Sequence, residues 1–93
     1  MSFTTKGRPY TRENIESLAE GQIGVYGIYK SQGWIYVGRG DIRDRMLAHI
    51  NGDNSCITNA KPTGWCAEVT NDSVAREKEL IAELNPICNK KAG

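Results

Sequence analysis

The pattern of hydrophobic and polar positions predicts a β-hairpin in the first half of the chain. Residues 23–30 (IGVYGIYK) and 34–37 (WIYV) are rich in β-branched and aromatic side chains, which favour strands. The segment between them, Ser-Gln-Gly, suits a short turn that joins two antiparallel strands. A third strand is predicted over residues 65–70 (WCAEVT), where apolar and polar side chains alternate.

Three other segments carry the start and stop signals of helices. Each has a polar N-cap and is followed by a glycine, asparagine or proline, and the predicted helices cover residues 12–18 after the cap Thr11, 42–50 after Asp41, and 73–84. Residues 1–10 are predicted to form an irregular arm, and residues 51–63 a loop with room for one helical turn.

This order of elements predicts an α+β fold, with a small, mainly antiparallel three-stranded sheet flanked by helices. A chain of 93 residues is too short for two cores, so we predict a single domain over residues 1–93. Residues 1–20 would be an N-terminal arm and short helix, and residues 21–91 the core. We find neither a signal peptide nor a long apolar run, and therefore predict an intracellular, cytoplasmic protein without a membrane partner.

Charge and cysteine content narrow the function classes. Lys and Arg number 12 against 11 Asp and Glu, and the net charge of +1 excludes a polybasic DNA binder but allows a local cationic patch. Cys56, Cys66 and Cys88 are odd in number and lack a CxxC motif, which predicts reduced thiols. A Cys3His zinc site with His49 is a weaker alternative, because the spacing matches no compact zinc motif.

Glu77 occupies an apolar position of the last predicted helix. At about 100° per residue the apolar side chains of this helix fall in one arc, and Glu77 lies in the middle of that arc. A carboxylate taken out of water needs a cation, hydrogen-bond donors or a raised pKa. Two interpretations stay open, a ligand site or a carboxylate at the margin of the core that pairs with an arginine.

Arg45 and His49 lie four residues apart on the middle predicted helix and share one stripe of its surface. Both side chains would favour a common anion, and a phosphate accepts two hydrogen bonds from a guanidinium. The alternative is a solvated arginine beside a half-buried histidine.

The hairpin combines tyrosines with glycines. A glycine inside a strand often marks the close approach of a ligand or another backbone, although ordinary packing of tyrosines in a sheet is the alternative. The residues concerned are Gly24, Tyr26, Gly27, Tyr29, Tyr36 and Gly38.

Taken in order, these residues resemble the GIY-YIG nuclease family, whose members include homing endonucleases and the N-terminal nuclease of the UvrC repair protein. The resemblance covers roughly residues 21–91. It rests on Gly24-Val25-Tyr26, Tyr36-Val37-Gly38, Arg45, His49, Glu77 and the pattern Pro86-x-x-Asn89.

The first of the two motifs can be placed in two registers. Gly27-Ile28-Tyr29 spells the family name, but only six residues separate Tyr29 from Tyr36. Nine residues separate Tyr26 from Tyr36, which is closer to the family's usual spacing of about ten. We therefore assign Tyr26 as the first functional tyrosine and Tyr29 to strand packing.

The resemblance implies a DNA endonuclease that depends on one divalent metal ion, Mg²⁺ or Mn²⁺. It implies that Glu77 binds the ion, that Arg45 holds the scissile phosphate, and that Tyr26 activates the attacking water with help from His49. A single carboxylate is enough for Mg²⁺, which keeps several waters. A tyrosine, with a pKa near 10, needs positive charge or a hydrogen-bond partner to act as a base.

The remaining implied roles are supporting ones. Tyr36 would line the catalytic face, Asn89 would support the site, and Gly38 and Arg39 would contact substrate, although a solvated Arg39 is an equal alternative. Some family members carry a second histidine after the middle helix, where this chain has polar residues such as Asn54.

Near-neutral charge predicts weak, salt-dependent DNA binding unless a homodimer or a separate DNA-targeting partner reinforces it. The alternative function is a catalytically silent module of the same fold that binds nucleic acid or protein.

Overall fold

The computed structural model of the chain describes residues 3–89, so residues 90 and 91 of the predicted core lie outside the described part. None of the helices within residues 3–89 has the length and apolar character that crossing a bilayer requires. The elements in chain order are β1 (Arg8–Pro9), α1 (Arg12–Glu16), β2 (Ile23–Lys30), β3 (Gly33–Asp41), α2 (Ile42–Ile50), α3 (Ser55–Ala60), β4 (Gly64–Val69) and α4 (Ser73–Leu84).

The sheet is antiparallel throughout and has the strand order β1-β4-β2-β3. The predicted α+β fold is confirmed, but the sheet has four strands and not three, since part of the predicted arm pairs with β4. Arg8 lies opposite Trp65, and the indole N–H of Trp65 donates to the carbonyl oxygen of Pro9 at 3.1 Å. A proline fits this position because β1 is an edge strand.

One helix is shorter than predicted, and another lies inside the predicted loop. α1 ends at Glu16, earlier than predicted, and the Ser17 hydroxyl donates to the carbonyl of Asn14 just after the last turn. The predicted loop contains α3, a six-residue helix. The Asn54 side chain caps α3 by accepting hydrogen bonds from the next turn, and the buried Ile57 anchors the helix to the core.

The sheet separates two hydrophobic clusters because successive strand residues point to opposite faces. Tyr26 and Ile28 of β2 join the larger cluster, to which α1, α2 and α3 contribute Ile15, Met46 and Ile57. On the other face Val25 and Val37 pack against Leu80 of α4. β3 is an edge strand, and the candidate site lies along it.

The prediction of three reduced thiols is wrong for two of them. Cys56 and Cys88 form a disulfide with their Cα atoms 5.8 Å apart, while Cys66 is free and buried. The cause is α3, which brings Cys56 against the segment that follows α4. With two of the three thiols joined, residues 3–89 hold no Cys3His zinc set.

Candidate active site

The hairpin places two aromatic rings against His49. The Tyr26 hydroxyl lies 2.7 Å from His49 Nε2, and the Tyr36 ring centroid lies 5.3 Å from that of His49. Gly38 pairs with Tyr26 across the strands, and a Cβ atom at Gly38 would lie 2.3 Å from the Tyr26 hydroxyl oxygen. Glycine is therefore needed there, because any side chain would displace the tyrosine.

The helix α2 supplies the histidine and the arginine. It begins directly after β3, where the Asp41 carboxylate accepts a hydrogen bond from the backbone N–H of Asp44 at 3.2 Å. Its inward face buries His49, while Arg45, one turn earlier, stays nearer solvent beside the Tyr26 hydroxyl. The predicted common stripe thus brings Arg45 and His49 to one place.

The anion that these two side chains share in the structure is Asp53. Its Oδ1 lies 2.8 Å from His49 Nδ1, and its Oδ2 lies 3.6 Å from a terminal guanidinium nitrogen of Arg45. Asp53 was not among the residues predicted from the sequence, although it stands four residues after His49 and directly after an Asn-Gly turn signal.

Burial controls the protonation of this cluster. It raises the pKa of the Tyr26 hydroxyl above its ordinary value of 10.0, although the neighbouring Arg45 guanidinium lowers it. Burial also lowers the pKa of His49 below 6.5, and Asp53 only partly offsets the effect. At neutral pH the pair is therefore a protonated phenol facing a neutral imidazole.

Glu77 of α4 lies next to Arg39 of the edge strand β3. Its carboxylate is 3.4 Å from Arg39 Nε, and its side chain is 24% exposed. The structure thus shows the arginine-paired carboxylate that was one of the two interpretations. Tyr36 interacts electrostatically with both Glu77 and Arg45. Burial raises its pKa, the Glu77 carboxylate raises it further, and Arg45 lowers it.

The donor chemistry at Glu77 fits a hard divalent cation. Among the described residues no three His, Cys, Asp or Glu side chains lie close enough together to enclose a metal. A single, partly exposed carboxylate suits Mg²⁺ or Mn²⁺, which can keep waters and take phosphate oxygens. Arg39 is 47% exposed, so its ion pair with Glu77 is screened by solvent and is weak enough to be replaced by a cation.

Asn89 clamps the edge strand next to Tyr36. Its side-chain oxygen accepts from the Val37 N–H at 2.7 Å, and its Nδ2 donates to the Val37 carbonyl at 2.9 Å. The N–H of Cys88 also donates to the Ile35 carbonyl at 2.8 Å. This segment extends the sheet edge and supports β3 from outside.

Two residues weighed from the sequence lie elsewhere. Tyr29 packs edge-on against Trp34, with ring centroids 5.2 Å apart, and its ring also approaches Gly64. Asn54 is occupied as the cap of α3.

Comparison with known proteins agrees with this architecture. The chain is similar to the N-terminal GIY-YIG endonuclease domain of UvrC from Thermotoga maritima, whose crystal structure was determined as a point mutant bound to its catalytic divalent cation. The TM-score is 0.73 at 21% sequence identity, and the match covers 86% of this chain and 94% of that chain. No protein-family model and no curated protein matches the sequence significantly. The chain therefore has the GIY-YIG endonuclease fold that its motifs predict.

Proposed function

We propose that this protein is a divalent-metal-dependent endonuclease that hydrolyses phosphodiester bonds in DNA. The observation that carries the proposal is the convergence of a phenol, an imidazole, a guanidinium and a carboxylate around Tyr36, on a fold that a known endonuclease domain shares. These groups can activate water, bind a phosphate and hold a cation.

Each side chain has a distinct role in the proposed hydrolysis. Arg45 binds the scissile phosphate, for which it is suited by its exposure and its guanidinium geometry. Tyr26 orients the attacking water and takes its proton, while His49 accepts the proton that Tyr26 releases. Tyr36 lines the phosphate-facing side, and Gly38 keeps space for Tyr26. The cation, held by Glu77, would neutralise the charge that develops on the phosphate.

We expect DNA affinity to be low for the isolated chain. The net charge is only +1, and two of the cations near the site, Arg39 and Arg45, already face carboxylates. Few phosphates can therefore be neutralised, and binding should weaken steeply with salt. A second copy of the chain or a separate DNA-targeting partner would supply the missing contacts.

The decisive experiment is cleavage of plasmid DNA with Mg²⁺ or Mn²⁺. We expect Glu77→Gln to reduce the rate by about 10²-fold or more, because the charge that holds the cation is lost. Arg45→Ala should also slow cleavage strongly. The matched controls are Glu79→Gln on the same helix and Arg43→Ala on α2, and both should cleave at close to the wild-type rate.

Three outcomes are distinct. If Glu77→Gln loses cleavage and the control Glu79→Gln does not, the proposal is supported. Wild-type cleavage by purified Glu77→Gln protein contradicts it, because a contaminating nuclease or another metal site would then be responsible. DNA binding without cleavage by the wild-type chain favours the silent binding module.

A further inference from the structure

Asp53 is held over His49 by a turn of defined geometry. After α2 the Gly52 N–H donates to the His49 carbonyl at 3.0 Å, and the Asp53 N–H donates to the Ala48 carbonyl at 3.2 Å. Gly52 has a φ of 95°, a conformation that glycine adopts readily. The turn folds the chain back so that the Asp53 carboxylate meets the imidazole.

The hydrogen bonds on the two ring nitrogens define one tautomer. An ionised carboxylate only accepts hydrogen bonds, so the proton of the neutral imidazole lies on Nδ1, which is 2.8 Å from Asp53 Oδ1. Nε2 then carries a lone pair, and the Tyr26 hydroxyl at 2.7 Å is its donor. The opposite tautomer would leave two acceptors, the carboxylate and Nδ1, facing each other.

We propose that Asp53 is a positioning residue that holds His49 in the Nδ1–H tautomer and so prepares Nε2 to receive the proton of Tyr26. The catalytic part of this inference rests on the proposed nuclease function. The same carboxylate faces Arg45 through its second oxygen, at 3.6 Å, and keeps the guanidinium beside the tyrosine. A carboxylate, an imidazole and a phenol thus form one hydrogen-bonded chain.

The proton moves along this chain as the phosphodiester is cut. The water oxygen forms the new bond to phosphorus while its proton passes to Tyr26 Oη, and the Tyr26 proton passes to His49 Nε2. The bond between phosphorus and the leaving oxygen breaks, and that oxygen keeps the electron pair and takes a proton from solvent. His49 becomes an imidazolium, and its Nδ1–H keeps donating a hydrogen bond to the Asp53 carboxylate. The buried Tyr26 never has to exist as a free phenolate, which its surroundings disfavour.

The tautomer can be measured directly, because His49 is the only histidine in the chain. In ¹⁵N-labelled protein at neutral pH, two-bond ¹H–¹⁵N correlation spectra should show a protonated Nδ1 and an unprotonated Nε2. Asp53→Ala and Asp53→Asn should both move the proton toward Nε2. Two control variants should keep the wild-type tautomer. Asp44→Asn makes the same charge change at a residue of α2, and Tyr26→Phe removes the contact on Nε2 but leaves Asp53 on Nδ1.

The kinetic test separates this inference from the proposed function. With Mg²⁺ and plasmid DNA, Asp53→Asn should lower kcat by about 10²-fold without raising KM, since proton transfer is lost while Arg45, freed from the Asp53 charge, can still bind phosphate. If the wild-type chain cleaves no DNA, the proposed function fails, while the spectra still test the positioning role. A wild-type Nε2–H tautomer, an unchanged tautomer in both Asp53 variants, or a wild-type kcat in Asp53→Asn would overturn the inference.

Discussion

His49 shows how a single buried residue can make the whole chain sensitive to pH. The groups that face it are Tyr26 and Tyr36 from the sheet, Arg45 from its own helix and Asp53 from the following turn. Only Asp53 carries a charge that favours the imidazolium, and burial outweighs it. The folded protein therefore holds His49 as a neutral hydrogen-bonding group.

We predict that stability falls as the pH is lowered through about 6.5. The pKa of His49 is lower in the folded state than the value of 6.5 expected in the unfolded chain. Between these two values the unfolded state binds more protons, so stability rises with pH and is lost on acidification. Urea denaturation from about pH 8 to pH 5 measures the slope.

His49→Gln is the control for this pH effect, because glutamine does not titrate and should remove the slope in that range. Glu68 acts at lower pH, since hydrogen bonds from Arg76 lower its pKa below 4.5. A wild-type free energy of unfolding that stays constant from about pH 8 to pH 5 would contradict the prediction.

At the level of elements, β3 depends on support from outside the sheet. It is an edge strand that carries Tyr36, Gly38 and Arg39, and its outer edge is partly covered by the segment after α4. Asn89 acts there like a short strand, since its amide makes both hydrogen bonds that a neighbouring backbone would make with Val37. The position of Tyr36 thus depends on a residue that enters no reaction step.

We predict that Asn89→Ala destabilises the protein by about 1–3 kcal/mol, because the partly buried backbone groups of Val37 lose their partners. Asn89→Asp should also destabilise it, since a carboxylate can accept from the N–H but repels the carbonyl. The measurement is chemical denaturation of each variant. Asn59→Ala, on the exposed side of α3, is the control, and an equal effect there would argue against the clamp.

On the scale of the whole molecule, a disulfide links α3 to the segment that supports the edge strand β3. The Cys56–Cys88 disulfide ties α3 to the residue that precedes Asn89, across a sequence separation of 32 residues. A small domain with limited core area gains much of its stability from such a link. Disulfides persist in oxidising surroundings and are rare in the cytosol, so the cytoplasmic location predicted from the sequence has to be tested by direct localisation.

We predict that the double variant Cys56→Ser/Cys88→Ser unfolds about 3–4 kcal/mol more easily than the oxidised wild type, from the entropy of the loop that the disulfide closes. Reductant should destabilise the wild type and leave the double variant unchanged. Thiol titration of the unfolded, unreduced chain should detect only Cys66. Detection of all three cysteines as thiols would show that the disulfide does not form.

Local patterns in the sequence were enough for the order of the main elements and for the fold class. The strand β2 and the helices α2 and α4 lie close to their predicted bounds, whereas β3 continues to Asp41, four residues beyond the predicted strand. These elements are encoded by side-chain periodicity and by caps such as Asp41, which act over a few residues. The spacing between motifs also singled out Tyr26 over Tyr29, and the structure places Tyr26 beside His49.

The tertiary structure alone decided which of these groups meet. The pairing of Cys56 with Cys88, the addition of β1 to the sheet and the contact of Arg39 with Glu77 join residues far apart in sequence. No local pattern encodes them, because each depends on how complete elements pack. Asp53 is the group closest in sequence to its partner, since only two residues separate it from the end of α2, yet its role depends on His49 being buried against Tyr26. The sequence by itself determined the elements and the chemical groups that they carry, and packing determined the partner of each group.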